Sequence, residues 1–388
     1  MGYAFTSADV AFLRGGDGTS ALRSAERLAL TPASLLADID SARAEFGDRA
    51  AAVVETVRLR RRAAAKLEAG ARWLFTDDAL QQATASIVAR HRARRLTGRA
   101  VHDVTCSIGA ELAELVHTCP AVLGSDLDAV RLAMAAHNVP GAGLLRADAL
   151  VPCSRGTVVV ADPARRSGRG RTHDPARLQP PLPDLLDAYR GRDLAVKCAP
   201  GLDFDRLDFA GEIEVVSLDG GVREACLWSA GLASGGVHRR ATVLRSDGTQ
   251  WQVTDAEPDE LADRPPGEWI VDPDGAVVRA GLVRHYSARH GLWQLDPRIA
   301  YLTGDRVPAG TRGFRVLDRM PLKEKVIRRE LARRECGALE ILVRGVDVDP
   351  DRLRKRLQLR GSVPLTLVVT RIGTQATVFV CESGSTVT

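Results

Sequence analysis

Hydrophobic and polar positions change rhythm near residue 99. Before it, Leu, Ile, Val and Ala recur at helical spacing over 33–46, 48–69 and 72–96 (RWLFTDDALQQATASIVARHRARRL). Thr31-Pro32 reads as a helix cap with proline at the first helical position, and the third helix is predicted to start near Thr76 or Asp77. After residue 99, short Val-rich runs alternate with helical ones. Strands are predicted over 101–105, 121–126, 144–148, 156–162 and 193–198, with helices over 109–117, 128–137 and 184–190. This alternation implies right-handed crossovers and a doubly wound parallel sheet. Strand-like runs at 212–218, 223–230 and 239–245 follow without long helices between them, and Asp219-Gly220-Gly221 predicts an antiparallel hairpin. The Pro- and acid-rich stretch 250–268 reads as a linker or loop, and 269–312 as a small α/β unit. The last unit is predicted as a strand near 314–318, a helix over 322–334, a strand over 338–344, a helix over 350–359, and the strands PLTLVVTRI and QATVFVCE.

A length of 388 residues allows two to four domains. The hydrophobic share of 45% and charged share of 27% exclude wholesale disorder, collagen and coiled coil. Seven cysteines without a Cys-x-x-Cys argue against a disulfide framework or a Cys-rich zinc site, and the eight histidines form no His-Glu-x-x-His. No metal is expected. No apolar run approaches the roughly 20 residues of a membrane span, and the start lacks a secretory pattern. MGYAFT formally fits a myristoylation pattern, but nothing else points to a membrane. The expected location is the cytoplasm, without a membrane partner; the oligomeric state is open. Charge carries a further signal. Of 54 basic residues only five are Lys, which leaves 49 Arg. A GC-rich genome accounts for Arg over Lys; phosphate recognition by the planar guanidinium is the functional alternative. The Arg runs at 58–62 and 90–95 read as solvated helix faces, while 314–388 holds 15 basic residues against 9 acidic ones.

In open α/β sheets, ligands bind beyond the carboxyl ends of the strands. The first predicted strand ends in Asp103-Val104-Thr105-Cys106-Ser107-Ile108-Gly109-Ala110-Glu111. The second ends at Asp126, with Asp128 beyond it; an acid about 20 residues after the first loop suits two ribose hydroxyls. The third ends in Asp148-Ala149, the fourth in Asp162-Pro163-Ala164-Arg165, the fifth in Lys197-Cys198-Ala199-Pro200. A nicotinamide enzyme would carry Gly-x-Gly-x-x-Gly after the first strand, and TCSIGAE stands there instead.

This order of a Gly-bearing turn, an acid, Asp-Ala and Asp-Pro-x-x resembles the class I S-adenosylmethionine-dependent methyltransferases. The whole chain resembles a bacterial family of them with a C-terminal THUMP-like domain. The stretches that carry the resemblance are FTDDALQQATASIVARHRA (75–93), DVTCSIGAE (103–111), GSDLDAVRLAMAAHN (124–138), RADAL (146–150), DPARR (162–166), KCAPGLDFD (197–205), WIVDPDGAVVRAGL (269–282) and GFRVLDRMPLKEK (313–325). The resemblance implies an α/β fold: a Rossmann-like class I methyltransferase sheet with a helical N-terminal region and small α+β C-terminal modules. The implied division is 1–98 helical, 99–249 methyltransferase, 250–312 ferredoxin-like and 313–388 THUMP-like. It further implies S-adenosyl-L-methionine as cofactor. Asp103, Thr105, Ser107 and Gly109 should face its methionine part, with Gln82 and Thr84 near the same end. Asp126 should hold the ribose hydroxyls with Leu127 beside the adenine, and Asp148 and Ala149 should meet the adenine edge. Asp162, Pro163 and Arg165 should form the catalytic, acceptor side. THUMP domains recognise RNA, so the implied partner is RNA and the implied acceptor a base in structured tRNA or rRNA.

Two departures stand out. Many relatives have Gly where Ser107 stands. Enzymes acting on exocyclic amines often read Asp-Pro-Pro-Tyr, whose aromatic stacks on a flipped base; here Ala164 and Arg165 occupy those places. Cys198 sits where pyrimidine-C5 methyltransferases carry a nucleophile, though a small buried residue is the favoured reading. Lys197 reads equally as a phosphate contact or a surface residue. The four Arg of Arg165–Arg171 suit a phosphate-gripping loop or a solvated one. A protein or small-molecule acceptor, or a non-catalytic RNA-binding protein on the same fold, remain alternatives.

Overall fold

The structure, a computed structural model, describes residues 2–165, 174–203, 207 and 209–386. The chain divides into two compact units, 1–212 with 224–233, and 213–223 with 234–388.

The first unit begins with six helices: α1 (Ser7–Arg14), α2 (Gly16–Ala25), α3 (Leu35–Phe46), α4 (Ala50–Ala63), α5 (Asp77–Gln82) and α6 (Ser86–Arg95). A capping box opens α1, with Thr6 and Asp9 satisfying each other's backbone N–H. The start expected at Thr31-Pro32 falls later. Thr31 bonds Ser34 across a turn, and α3 begins at Leu35. The single helix expected over 72–96 is also broken. Thr76 caps α5 as expected, but the chain turns extended at Ala83 and Ala85. Lys66 explains the break: its Nζ donates to the Leu80 and Gln81 carbonyls, and its own carbonyl accepts from Ser86 N. The free end of α5 and the start of α6 are thereby satisfied from outside.

The strands and helices that follow are β1 (Ala100–Asp103), α7 (Leu112–Leu115), β2 (Ala121–Asp126), α8 (Ala129–Asn138), β3 (Gly143–Arg146) and β4 (Val158–Ala161). The two-residue strands β5 (Ala164–Arg165) and β6 (Leu178–Gln179) pair with each other. Next come α9 (Leu182–Ala188), β7 (Leu194–Cys198), β8 (Gly211–Leu218) and β9 (Gly221–Ser229). In this unit β3, β2, β1, β4 and β7 lie side by side in parallel, and β9 runs antiparallel along β7. The strand order reverses between β1 and β4, the switch point where such sheets bind ligands. One apolar core joins the helices to the sheet, with Leu13, Val53, Val57 and Trp73 in the same cluster as Val101, Met134, Val160 and Trp228. The composition shift at residue 98 is therefore a change of element type within a continuous core.

In the second unit β10 (Arg239–Leu244) runs parallel to β8 and antiparallel to β11 (Gln250–Thr254). The stretch expected as linker from residue 250 thus opens as a strand, because it completes a hairpin on β10. Beyond it lie β12 (Trp269–Asp272), α10 (Gly275–Arg279), α11 (Val283–His290), β13 (Trp293–Asp296) and β14 (Ile299–Gly304). The chain ends with β15 (Arg312–Pro321), α12 (Glu324–Arg333), β16 (Cys336–Arg344), α13 (Pro350–Leu357), β17 (Val363–Ile372) and β18 (Gln375–Glu382), plus a two-residue strand on β15. These strands form one sheet in the order β13-β14-β12-β15-β18-β17-β16. Among the described residues no helix is long and apolar enough to cross a membrane.

Candidate active site

The carboxyl ends of β1, β2 and β4 are tied together by short polar links. β1 stops at Asp103, two residues before its expected end, because Asp103 Oδ1 accepts Thr105 N at 3.0 Å and turns the chain. Thr105 Oγ1 in turn accepts Asp162 N at 2.7 Å, which fixes the end of β4 against this turn. Ser107 has φ +49°, a left-handed conformation that favours glycine, and its N–H donates to Asp126 Oδ2 at 3.0 Å. Gly109 has φ +86°, and a Cβ there would stand 3.0 Å from Val139. Asp126 also accepts Asp128 N at 2.8 Å, and Asp128 then caps α8 through Val130 N and Arg131 N. Each Asp126 oxygen has thus received one backbone N–H and keeps further acceptor capacity.

The other expected residues distribute as follows. Leu127, beside Asp126, is 56% exposed, an unusual position for a large apolar side chain. Asp148 accepts Leu150 N at 2.9 Å, and Ala149 is buried. Gln82 is exposed at the end of α5 and Thr84 is buried in the break after it; both lie outside the hydrogen-bond network of the strand ends. Pro163 is buried. Arg165 pairs through its backbone with Leu178. The Arg165–Arg171 loop, read either as phosphate-gripping or as solvated, lies outside the described residues from 166 onward. A cavity of about 1010 Å³ between the N-terminal helices, α7 and α8 is lined by none of the expected site residues.

The acids are not equivalent. Asp103 is only 3% exposed. Burial pushes its carboxyl up to about 8, the Thr105 N–H opposes this, and Glu111, Asp162 and Asp126 push it further. Asp162 is instead met by Lys197, whose Nζ donates to Oδ2 at 2.5 Å. Lys197 was legible only as a phosphate contact or a surface residue; the parallel register of β4 and β7 turns it onto Asp162. Burial alone would pull the Lys197 ammonium down, but Asp162 and Glu224 outweigh it and hold it up. Glu224, 3% exposed on β9, is ion-paired with Arg92 of α6. Arg92 Nη1 also stands 2.6 Å from Glu111 Oε1.

That cluster corrects the reading of the 90–95 run as a solvated face. Arg92 is 2% exposed, Arg90 binds Glu68 and Glu114, and Arg95 binds Glu212 at 2.7 Å with its guanidinium 3.9 Å over the Trp228 ring. A run of charges gives no hint of burial when its partners lie far away in sequence. The 58–62 run fits its expectation better: Arg58, Arg61 and Arg62 are exposed, although Arg60 and Arg61 also bind backbone carbonyls of neighbouring segments. Cys198 is buried, as its favoured reading expected, and burial raises its thiol. Asn138 is a residue the sequence did not single out. From the end of α8 its Nδ2 donates to the Ile108 and Leu74 carbonyls and its Oδ1 accepts Leu74 N, pinning the β1 turn to the segment before α5.

Comparison with known proteins bears on what this architecture is. Over 357 residues the chain is 60% identical to an uncharacterized S-adenosylmethionine-dependent methyltransferase of Mycobacterium tuberculosis, in strains CDC 1551 and H37Rv alike. The match covers 88% of this chain and 99% of the relative. A protein of Porphyromonas gingivalis W83 assigned as a methyltransferase has the same fold, with a TM-score of 0.73 at 17% identity over 98% of this chain and all of that one. Residues 311–383 match the THUMP domain-like family, and residues 6–63 match a domain of unknown function. The fold is that of a methyltransferase with a Rossmann-like sheet. The chain belongs to the S-adenosylmethionine-dependent methyltransferases, in a form that carries a THUMP domain-like tail.

Proposed function

We propose that the enzyme methylates RNA, with S-adenosylmethionine held across the ends of β1, β2 and β3. When bound, the cofactor supplies an electrophilic methyl group on a positively charged sulfur. The residues present fit such a group. Asp103 is a buried acid that no ion pair reaches among the described residues, and Asp126 and Asp162 raise its carboxyl from the same strand ends. A ligand carrying a sulfonium and an ammonium relieves that repulsion. In this reading Asp126 accepts the ribose hydroxyls and Leu127 covers one face of the adenine. Asp148 and Ala149 border its edge, and the turn from Asp103 through Thr105 and Ser107 to Gly109 faces the methionine part. Gln82 and Thr84 close the methionine end, and Asp162 with Pro163 and Arg165 flanks the acceptor. The chemical step asks mainly for alignment and exclusion of water.

The observation that carries RNA as substrate is the THUMP domain-like tail together with its charge. α12 buries Ile327 and Leu331, and α13 buries Leu353 and Leu357. The two helices pack together and leave Lys325, Arg328, Arg329, Arg352, Lys355 and Arg356 exposed. Some of these charges are shared with acids, as in Arg356 with Glu324 at 2.9 Å. The balance is still basic, as suits a surface that meets phosphates. The test is transfer of a labelled methyl group from S-adenosylmethionine to RNA from cells lacking the protein. Label in a discrete RNA class supports the reading; label only in protein or small molecules overturns it.

A further inference from the structure

The acceptor side of the site carries a charge arrangement that Asp162 alone does not account for. Lys197 is the fourth residue of β7, its side chain 16% exposed, and it reaches the half-exposed Asp162 at 2.5 Å. In the β7–β9 ladder Lys197 stands opposite Cys226. Glu224, two residues from Cys226, therefore shares the face of the sheet on which Lys197 lies. Glu224 is in turn fixed by Arg92. The lysine thus bonds a half-exposed carboxylate and lies on the same face as a buried one, at the strand end where the acceptor is expected.

We propose that Lys197 is a catalytic residue whose ammonium faces the attacking atom, and that this atom is a hydroxyl oxygen, the 2′-hydroxyl of a ribose in RNA. This rests on the reading of Asp162 as the acceptor side and of RNA as the substrate. Three observations favour a hydroxyl over a base amine. An amine nitrogen gains positive charge as it takes a methyl group, so a fixed ammonium beside it opposes the reaction. A hydroxyl oxygen gains negative character as its proton leaves, and the same ammonium then favours the reaction. Second, the flanking acids keep Lys197 charged, the state that role needs. Third, in the order Asp162-Pro163-Ala164-Arg165 it is Arg165 that takes the place of the aromatic that stacks on a flipped base. Along an internal stretch of RNA the free hydroxyl is the ribose 2′-OH.

The step balances without an oxidant or reductant. A lone pair of the hydroxyl oxygen forms the new bond to the methyl carbon. The pair of the broken carbon–sulfur bond stays on sulfur, which becomes a neutral thioether. The hydroxyl proton passes to Asp162 Oδ1, the oxygen Lys197 does not bind, and from there to solvent.

The experiment is methyl transfer to RNA followed by digestion to nucleosides and mass spectrometry that separates sugar from base. A methyl group on the ribose, in an alkali-resistant linkage, supports the proposal. A methyl group on the base overturns it and leaves RNA methylation standing. No methyl group in RNA overturns the RNA reading itself, and this inference with it. Lys197→Ala should lower kcat by about 10²–10³-fold. The affinity for S-adenosylhomocysteine, measured by calorimetry, should change by less than about threefold, a readout that does not depend on turnover. Lys197→Arg should restore part of kcat, and Lys197→Gln, which keeps a donor for Asp162, should not. Full kcat in folded Lys197→Gln overturns the catalytic role. Should the variants fail to fold, the position of the methyl group in the wild-type product still decides the acceptor.

Discussion

Arginine serves opposite ends in two regions of this molecule. On α6, Arg92 is buried and ion-paired to Glu111 and Glu224. On α13, Arg352 has a side chain 83% exposed and meets the carboxylate that caps its own helix, Asp349, at 3.4 Å. The first region spends many of its charges internally: Arg90, Arg92, Arg95 and Lys197 each face an acid, while no ion pair reaches the buried Asp103 among the described residues. The second region leaves its charges at the surface, where pairs contribute little to stability and remain free to meet phosphate. An arginine-rich composition therefore has no single meaning. The function of each guanidinium depends on whether the fold has already supplied its anion.

This contrast can be broken in graded steps. The largest effect is expected at Arg92. Arg92→Ala strands Glu224 in the core and should cost about 3–5 kcal/mol in denaturant unfolding. Because burial raises the Glu224 carboxyl, that loss should shrink as pH falls and Glu224 is protonated. Equal stability of the variant and the parent would refute the internal clamp. Next, Asp126→Ala removes the acceptor proposed for the ribose hydroxyls. It should weaken binding of S-adenosylhomocysteine by about 10–100-fold, the worth of hydrogen bonds to a charged group, as read by calorimetry.

A subtler effect concerns protons. Asp103 has a carboxyl at about 8 in the fold, against an ordinary value near 4. Between those values the folded chain holds one proton more than the unfolded chain. The contribution of this group to stability is therefore complete below about pH 4 and is lost as pH rises toward about 8. A cationic ligand favours the ionised form, so binding at about pH 6.5 should release up to about one proton. Calorimetry in buffers of different ionisation enthalpy measures this, and Asp103→Asn should abolish it. The smallest effect on stability belongs to the tail. Replacing Lys325, Arg329 and Lys355 with Ala should shift unfolding by about 0.5 kcal/mol or less per site. The same change should weaken RNA binding and flatten its salt dependence by up to about one log unit per lost phosphate contact.

Within the first region, neighbouring features differed in how much of them the sequence disclosed. β2 was expected over 121–126 and stands at Ala121–Asp126, because a short apolar run between turn residues leaves little freedom. The acids ending β1, β2 and β4 were legible for the same reason, since strand ends are local features. The ion cluster was not. Arg92 and Glu224 are 132 residues apart, and only the pairing of β7 with β9 brings Glu224 alongside Lys197. Nor could periodicity reveal the break between α5 and α6, because Ala83 and Ala85 carry no breaker chemistry and the stop is imposed by Lys66. Burial of a charge is a tertiary property, and helical spacing alone assigns charges to water.

In the proposed function, the strand ends of the first unit deliver a methyl group from S-adenosylmethionine to RNA. Its most direct measurement is incorporation of a tritium-labelled methyl group into RNA from cells lacking the protein, run side by side with the parent enzyme and with Asp126→Ala. Label is expected in RNA with the parent and should be lost with the variant. Label absent from RNA with the parent, or undiminished with Asp126→Ala, would contradict it.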